Sequence, residues 1–307
     1  MKLFKIIGLI LVLSTLGQAF GASAASGGGG GGGSSKEQAI CYSIMSWNLG
    51  TDRDYLRFKC REDLSKIKSR DDEIKVLDSV KQKRDAMFSD LFSSLSYDFY
   101  TFQEVEQRDR LESWFPGNYG FIYDNVDTAI VYNKERFLLL EETTENESAL
   151  FSIAIFKELS SCQKLQIFSA HLTGCHKHSP EPMEADIGNR QLVQMLKRMD
   201  TSVDFSVIGA DFNTSPAYQK RIGIPLEKGF LADTDMTAGT VFDGAKIDYV
   251  MFRNGRLSIE HIETEISSLQ PSDIENPSDH RYIIKHLTVK PASSTIKVDT
   301  KNRCLIM

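Results

Sequence analysis

Apolar and polar positions alternate over Ile40–Trp47, which predicts a β-strand. The spacing turns helical over Asp72–Leu95, where Ile74, Leu77, Phe88, Leu91 and Leu95 share one expected buried stripe. Residues 52–70, dense in charge and without clear period, read as an exposed loop or short helix inserted before it. Phe99–Phe102 is a short strand, and β-prone runs at Asp127–Tyr132, Phe137–Leu140, Ala149–Phe156 and Leu165–His171 fill the centre. Ile187–Met199 is helical again, with Leu192, Met195, Leu196 and Met199 on one face. Strands are predicted last at Phe205–Ile208, Ile247–Phe252 and Tyr282–Leu287. Strands interleaved with two long helices suit two sheets packed face to face with helices outside. A doubly wound sheet is the competing architecture, and the strand-rich stretch 127–171 does not suit it.

The predicted elements form one uninterrupted domain over 39–289, with no internal repeat. The ends differ in character. Lys2 and Lys5 precede an uncharged apolar run, Ile6–Leu16, and small residues follow from Gly21 to Ala25. This pattern predicts a cleaved secretory signal over 1–25, hence a secreted or periplasmic protein, with an uncleaved N-terminal anchor as the alternative. The Gly/Ser-rich stretch 26–38 is expected to be a flexible tether. The tail 290–307 ends in Cys304-Leu305-Ile306-Met307, which fits a prenylation box; the prenylating enzyme is cytosolic, so coincidence is the default for an exported chain.

The chain has 36 basic and 42 acidic side chains. Cleavage removes Lys2 and Lys5 and no acid, which leaves 34 against 42 and a net charge of −8. This balance excludes a broadly basic, DNA-coating module but not a hydrolase whose bound metal supplies local positive charge. Of the five cysteines, a disulfide among Cys41, Cys60, Cys162 and Cys175 is compatible with export, with the pairing open and free buried thiols the alternative. Cys175-His176-Lys177-His178 lacks a second ligand pair at zinc-finger spacing and is expected to be a loop.

The candidate chemistry lies in short polar motifs at the ends of apolar runs. They are Ser46-Trp47-Asn48, Gln103-Glu104-Val105, Ala170-His171-Leu172, Gly209-Ala210-Asp211-Phe212-Asn213, Ile247-Asp248-Tyr249 and Ser278-Asp279-His280. Hydrolysis of a phosphate ester needs an in-line water, neutralisation of developing charge and help for the leaving oxygen. A magnesium site needs only one or two carboxylates and some neutral oxygen ligands. Glu104 and Asp279 are the natural metal ligands, with Asn48 contributing an amide oxygen or positioning the glutamate. Asp211 and Asn213, two apart on an expected extended segment, would point the same way and handle the water and a phosphoryl oxygen. Asp248 would hold the His280 imidazole, and His171 would be a second donor. Each residue also has a plainer reading: Asn48 and Asp211–Asn213 as turn residues, Glu104 as a solvated edge, His171 as a core histidine. Arg108, Arg110 and Trp114 suit a solvated surface turn, the alternative being a phosphate grip with a stacking ring.

Taken in order, these motifs resemble the endonuclease/exonuclease/phosphatase superfamily from about Ser43 to Leu287. Arg84, the strand Thr128–Tyr132 and Arg190-Gln191 also match. The resemblance implies a four-layered α/β sandwich, two packed mixed β-sheets flanked by helices, and dependence on Mg²⁺ or Mn²⁺. It implies metal ligation by Asn48, Glu104 and Asp279, and chemistry by His171, Asp211, Asn213, Asp248 and His280. With His171 in the Ala-His-Leu position, the chain is most similar to the two-histidine branch of secreted deoxyribonucleases, sphingomyelinases and the cytolethal distending toxin catalytic subunit. The expected activity is an exported, monomeric phosphodiesterase acting on nucleic acid. The alternatives are a phospholipid or sphingomyelin phosphodiesterase acting on a membrane lipid, an inositol-phosphate phosphatase, and a non-catalytic binding module. Ala245-Lys246-Ile247-Asp248 departs from the segment typical of the inositol phosphatases.

Overall fold

The computed structural model describes residues 39–123, 127–144, 151–174, 182–214, 219–232, 239–241 and 244–291. All belong to the unit Gln38–Met307. The expected leader and tether, most of the tail including Cys304, and the Cys175–His178 run lie outside the described residues.

The first sheet is built from β1 (Ile40–Asn48), β2 (Phe99–Gln103), β3 (Tyr119–Tyr123), β4 (Ala129–Asn133), β11 (Leu257–Ile266) and β12 (Ile283–Pro291), in the order β11-β12-β1-β2-β4-β3. The second holds β5 (Phe137–Thr144), β6 (Phe151–Glu158), β7 (Lys164–His171), β8 (Phe205–Asp211), β9 (Phe230–Ala232) and β10 (Asp248–Asn254), in the order β5-β6-β7-β8-β10-β9. Both sheets are mixed. At the centre of each, one parallel pair, β1–β2 or β7–β8, stands among antiparallel neighbours. Parallel neighbours need a crossover, and a helix supplies each one: α3 (Arg70–Ser94) between β1 and β2, and α5 (Pro182–Leu196) between β7 and β8.

The facing surfaces of the sheets divide into two halves. One end is an apolar core of Tyr42, Ile44, Phe99, Phe156, Ile167, Val207 and their neighbours. Further along the same strand faces the buried residues become polar: Ser46, Asn48, Thr101, Gln103, Ser169, Asp211 and Asp248. The outer faces are covered by the helices. Phe88 and Phe92 of α3 pack on Trp47, Tyr100 and Phe102, and Leu192, Met195 and Leu196 of α5 pack on Phe168, Ile208 and Met251. The result is a four-layered α/β sandwich. The sheets approach so closely at Gly209 that a Cβ there would lie 2.0 Å from Thr101 Oγ1. Gly209→Ala should therefore destabilise the protein by about 1–3 kcal/mol, the usual cost of overpacking, read from urea denaturation.

Several expectations change in the structure. The buried residues of α3 are Val80, Arg84, Phe88 and Phe92, an i, i+4 series, while Ile74 is exposed. The expected stripe through Ile74 and Leu91 follows apolar residues alone and so passes over a buried arginine. Residues 52–70 form two short helices, α1 (Asp52–Lys59) and α2 (Arg61–Leu64), and Tyr55 and Leu56 of α1 are buried against Val80. Arg110, in α4 (Arg108–Ser113), is neither solvated nor free to grip phosphate: it forms ion pairs with Asp52 and Asp85. Trp114 is buried too, donating from Nε1 to Asp85 Oδ1 at 2.9 Å and stacking on Phe88. Five elements lie outside the predicted set: β3, β9, β11, α4 and α6 (Gln219–Glu227). β11 is an edge strand, largely exposed and interrupted by a bulge between Ile259 and His261, so its residues carry no sustained alternation.

Candidate active site

The carboxyl ends of the parallel strands place Asn48, Glu104, His171 and Asp211 along one rim of the sandwich. Strand register brings His171 opposite Asp211, and Asp211 opposite Asp248. Asn48 is the joint between the sheets. Its Nδ2 donates to Glu104 Oε1 and to Asp211 Oδ2, both at 2.9 Å. Its Oδ1 accepts the Gly50 N–H at 2.9 Å. Of the two roles open to Asn48 in sequence, this geometry favours the positioning one.

Two histidines face this centre, each held by an aspartate. His280 Nδ1 lies 2.9 Å from Asp248 Oδ2. Burial opposes charge on His280, but the Asp248 carboxylate more than offsets it, raising the imidazole well above its usual pKa. Asp248 is fully buried, and burial raises its own pKa against the pull of His280. On the other side, His171 Nδ1 is hydrogen-bonded to Asp127, and its Nε2 lies 3.8 Å from Asp211 Oδ2 and 3.9 Å from Glu104 Oε1. Burial again opposes the charge, and Asp127 and Asp211 outweigh it, raising His171 to about 9. Both rings thus favour the protonated, donor form.

Asp127 belongs to this site although no motif marks it: in sequence it reads only as the first residue of a strand, away from the carboxyl ends of the apolar runs. β4 is antiparallel to β2, so the start of β4 reaches the rim where β2 ends. The available signal was the acid opening the run Thr128–Tyr132. Asp248 occupies the equivalent place at the start of β10, antiparallel to β8.

The Asp211–Asn213 segment departs from the extended form expected of it. β8 ends at Asp211, and Asn213 has φ +47°, in the left-handed region that asparagine tolerates. The two residues are joined by a turn in which Asn213 N–H donates to Asp211 Oδ1 at 2.7 Å, and Asn213 Nδ2 donates to Leu172 O at 3.1 Å. Glu104 also has a left-handed backbone, φ +57°, which is uncommon for a long side chain and is held here by the surrounding structure.

Asp279 stands against Gly50, whose hydrogen leaves room for it: a Cβ there would lie 2.6 Å from Asp279 Oδ1. Gly50 also has φ +65°, in the left-handed region that glycine adopts most readily. Arg84 fixes this corner by donating to Leu49 O at 2.6 Å, Gly50 O at 2.7 Å and Pro277 O at 2.9 Å. Gln191 Oε1 accepts Thr173 N–H at 2.8 Å and so steadies the segment after His171, while Arg190 is exposed.

The oxygen donors fit a hard divalent cation. Burial, before any neighbour, pushes the Glu104 carboxyl up to about 7; the charge of His171 limits the rise and that of Asp279 adds to it. Bringing a cation beside two such carboxylates offsets both burial and repulsion. A second group, Asp211, Asp248 and His280, has ligand atoms within 4.8 Å of one another, and buried Asp248 Oδ1 has no hydrogen-bond partner among the described residues. There Asp248 has His280 as its hydrogen-bonded partner. Glu104 with Asp279, and Asp211 with Asp248 and His280, are thus the two groups on the rim that could hold a cation.

Neither a protein-family model nor a curated protein sequence matches the chain. Solved structures do. An endonuclease/exonuclease/phosphatase family protein from Bacteroides thetaiotaomicron superposes with a TM-score of 0.56 at 15% identity, covering 82% of this chain and 98% of that one. The human Nocturnin catalytic domain with bound sulfate gives 0.56 at 14% identity, covering 84% and 100%. D. rerio TDP2 complexed with a single-strand DNA product gives 0.55 at 18% identity, covering 81% and 99%. The chain therefore has the fold of the endonuclease/exonuclease/phosphatase proteins.

Proposed function

We propose that the protein is an exported, divalent-cation-dependent phosphodiesterase whose substrate is nucleic acid. The observation that carries this reading is the pair of Asp-held histidines, Asp127–His171 and Asp248–His280, facing Glu104 and Asp211 across one rim. A phosphodiester placed there meets two cationic N–H donors for its phosphoryl oxygens and an acid between them. Asp211, held by Asn48 and by the Asn213 N–H, orients the attacking water and takes its proton. His280 and His171 stabilise charge on the phosphoryl oxygens, and each aspartate behind keeps its ring in one orientation. Glu104 and Asp279 would hold a Mg²⁺ or Mn²⁺ ion, which supplies charge neutralisation at the phosphate.

Two things support the finer reading. The DNA product bound to the TDP2 neighbour fits a nucleic acid substrate. Cys162 is half of a disulfide, compatible with an exported chain, while Cys41 and Cys60 are free thiols.

Purified protein with Mg²⁺ or Mn²⁺ should nick supercoiled plasmid, and His280→Ala should not. Absence of nicking by both would sink the nucleic acid assignment and turn attention to phospholipid head groups. Asp127→Asn should lower turnover about 10²-fold by removing the charge that keeps His171 protonated, with the fold retained by circular dichroism.

A further inference from the structure

The strap that delivers Asp279 and His280 is held by side chains from outside it. Tyr55 Oη, on α1, donates to Ile274 O at 2.8 Å. Lys59, one turn further along α1, places its amino group on both Asn276 O and Ser278 O. Arg84 of α3 donates to the carbonyl between them, Pro277 O, at 2.9 Å. Three successive carbonyls before Asp279 are thus held by two cations. Inside the strap, Ser278 Oγ donates to Asn48 O at 2.7 Å and accepts His280 N–H at 2.9 Å. Any shift of Ser278 is therefore passed to Asn48 and His280 together.

A lysine suits this place chemically. Its ammonium has three donors, enough for two carbonyls with one to spare, and Nζ stands over the buried ring of Tyr55, 5.3 Å from the centroid. The Asp279 charge acts on it directly. Burial of the amine, the largest influence, still lowers Lys59 to about 8. A partly buried cation turned toward carbonyls, with no carboxylate in contact among the described residues, is costly as a surface device and intelligible as a clamp.

We propose that Lys59 is a positioning residue for Asp279 and His280, so that α1, a helix set between the first two strands, forms part of the cation site. This rests on the phosphodiesterase reading above and adds a residue to it. Lys59 acts through the strap, not on the substrate.

The test is Mn²⁺ binding by the full chain, followed by electron paramagnetic resonance, with amide exchange of residues 274–282 measured on the same samples. Lys59→Met should weaken Mn²⁺ binding about tenfold or more, the usual range for a residue behind a ligand, and speed exchange in the strap. Lys59→Arg should restore most of both. The sign is informative, because losing a positive charge near the site would by itself tighten the cation. Tighter or unchanged binding by Lys59→Met overturns the proposal. Should Lys59→Met fail to fold, Tyr55→Phe removes only the hydroxyl bond to Ile274; it should weaken Mn²⁺ in the same direction to a smaller extent, and binding equal to the parent overturns the proposal. A parent that binds Mn²⁺ but cleaves no phosphodiester defeats the proposed function and leaves the Lys59 comparison valid. A parent that binds no Mn²⁺ overturns both.

Discussion

His280→Ala should lose about 10²–10⁴-fold of phosphodiester turnover, because the imidazole combines charge stabilisation with an oriented N–H donor. The loss should appear in kcat more than in KM, since the charge it meets develops in the transition state. Stability has to be measured beside it. Removing the ring leaves Asp248 buried without its counter-charge, and breaking such a pair costs about 3–5 kcal/mol. His280→Gln separates the two effects, since its amide can still donate to Asp248 but carries no charge. It should recover much of the stability and little of the turnover. A His280→Ala protein that is stable and turns over within a few-fold of the parent would remove the dyad from the chemistry.

Glu104→Gln should abolish most cation-dependent turnover and reduce Mn²⁺ affinity by an order of magnitude or more, roughly the effect of losing one charged ligand. The parent should also show a pH dependence that the variant lacks. Glu104 binds a proton up to about 7 in the metal-free protein, above its usual range, because it is buried. A cation must displace that proton, so apparent affinity should fall about tenfold for each pH unit below 7 and level off above it. Glutamine has no proton to displace, and its weaker binding should be flat over the same interval. Isothermal titration across that range reads both. Parent binding that does not strengthen with rising pH would take Glu104 out of the ligand set.

Most of the rim was legible because its residues follow strongly apolar runs. Asn48, His171 and Asp211 end β1, β7 and β8, Glu104 follows β2, and a strand marks its own end by the loss of its pattern. Asp127 and Asp248 begin strands. Whether the start of a strand lies at the same rim depends on its direction in the sheet, and periodicity is the same read either way. Asp248 was found through the motif around it, whereas Asp127 had none. Arg110 and Trp114 read as a solvated surface turn for a related reason: local charge density marks a surface, but the ion pairs that bury Arg110 come from Asp52 and Asp85, distant in sequence.

By itself the sequence determined the interleaved strands and crossover helices, the two-sheet sandwich, and the identity of nearly every group on the rim. Burial of apolar strand faces is a local pattern and needs no knowledge of the partner. The tertiary structure decided which groups touch. It turned Asn48 toward both Glu104 and Asp211, gave each histidine its own aspartate, and set Lys59 and Arg84 on the strap before Asp279. Those contacts join residues far apart along the chain, up to 219 positions between Lys59 and Ser278. The charge states of Glu104 and His171 follow from them, because burial and a neighbouring charge exist only once the sheets have closed.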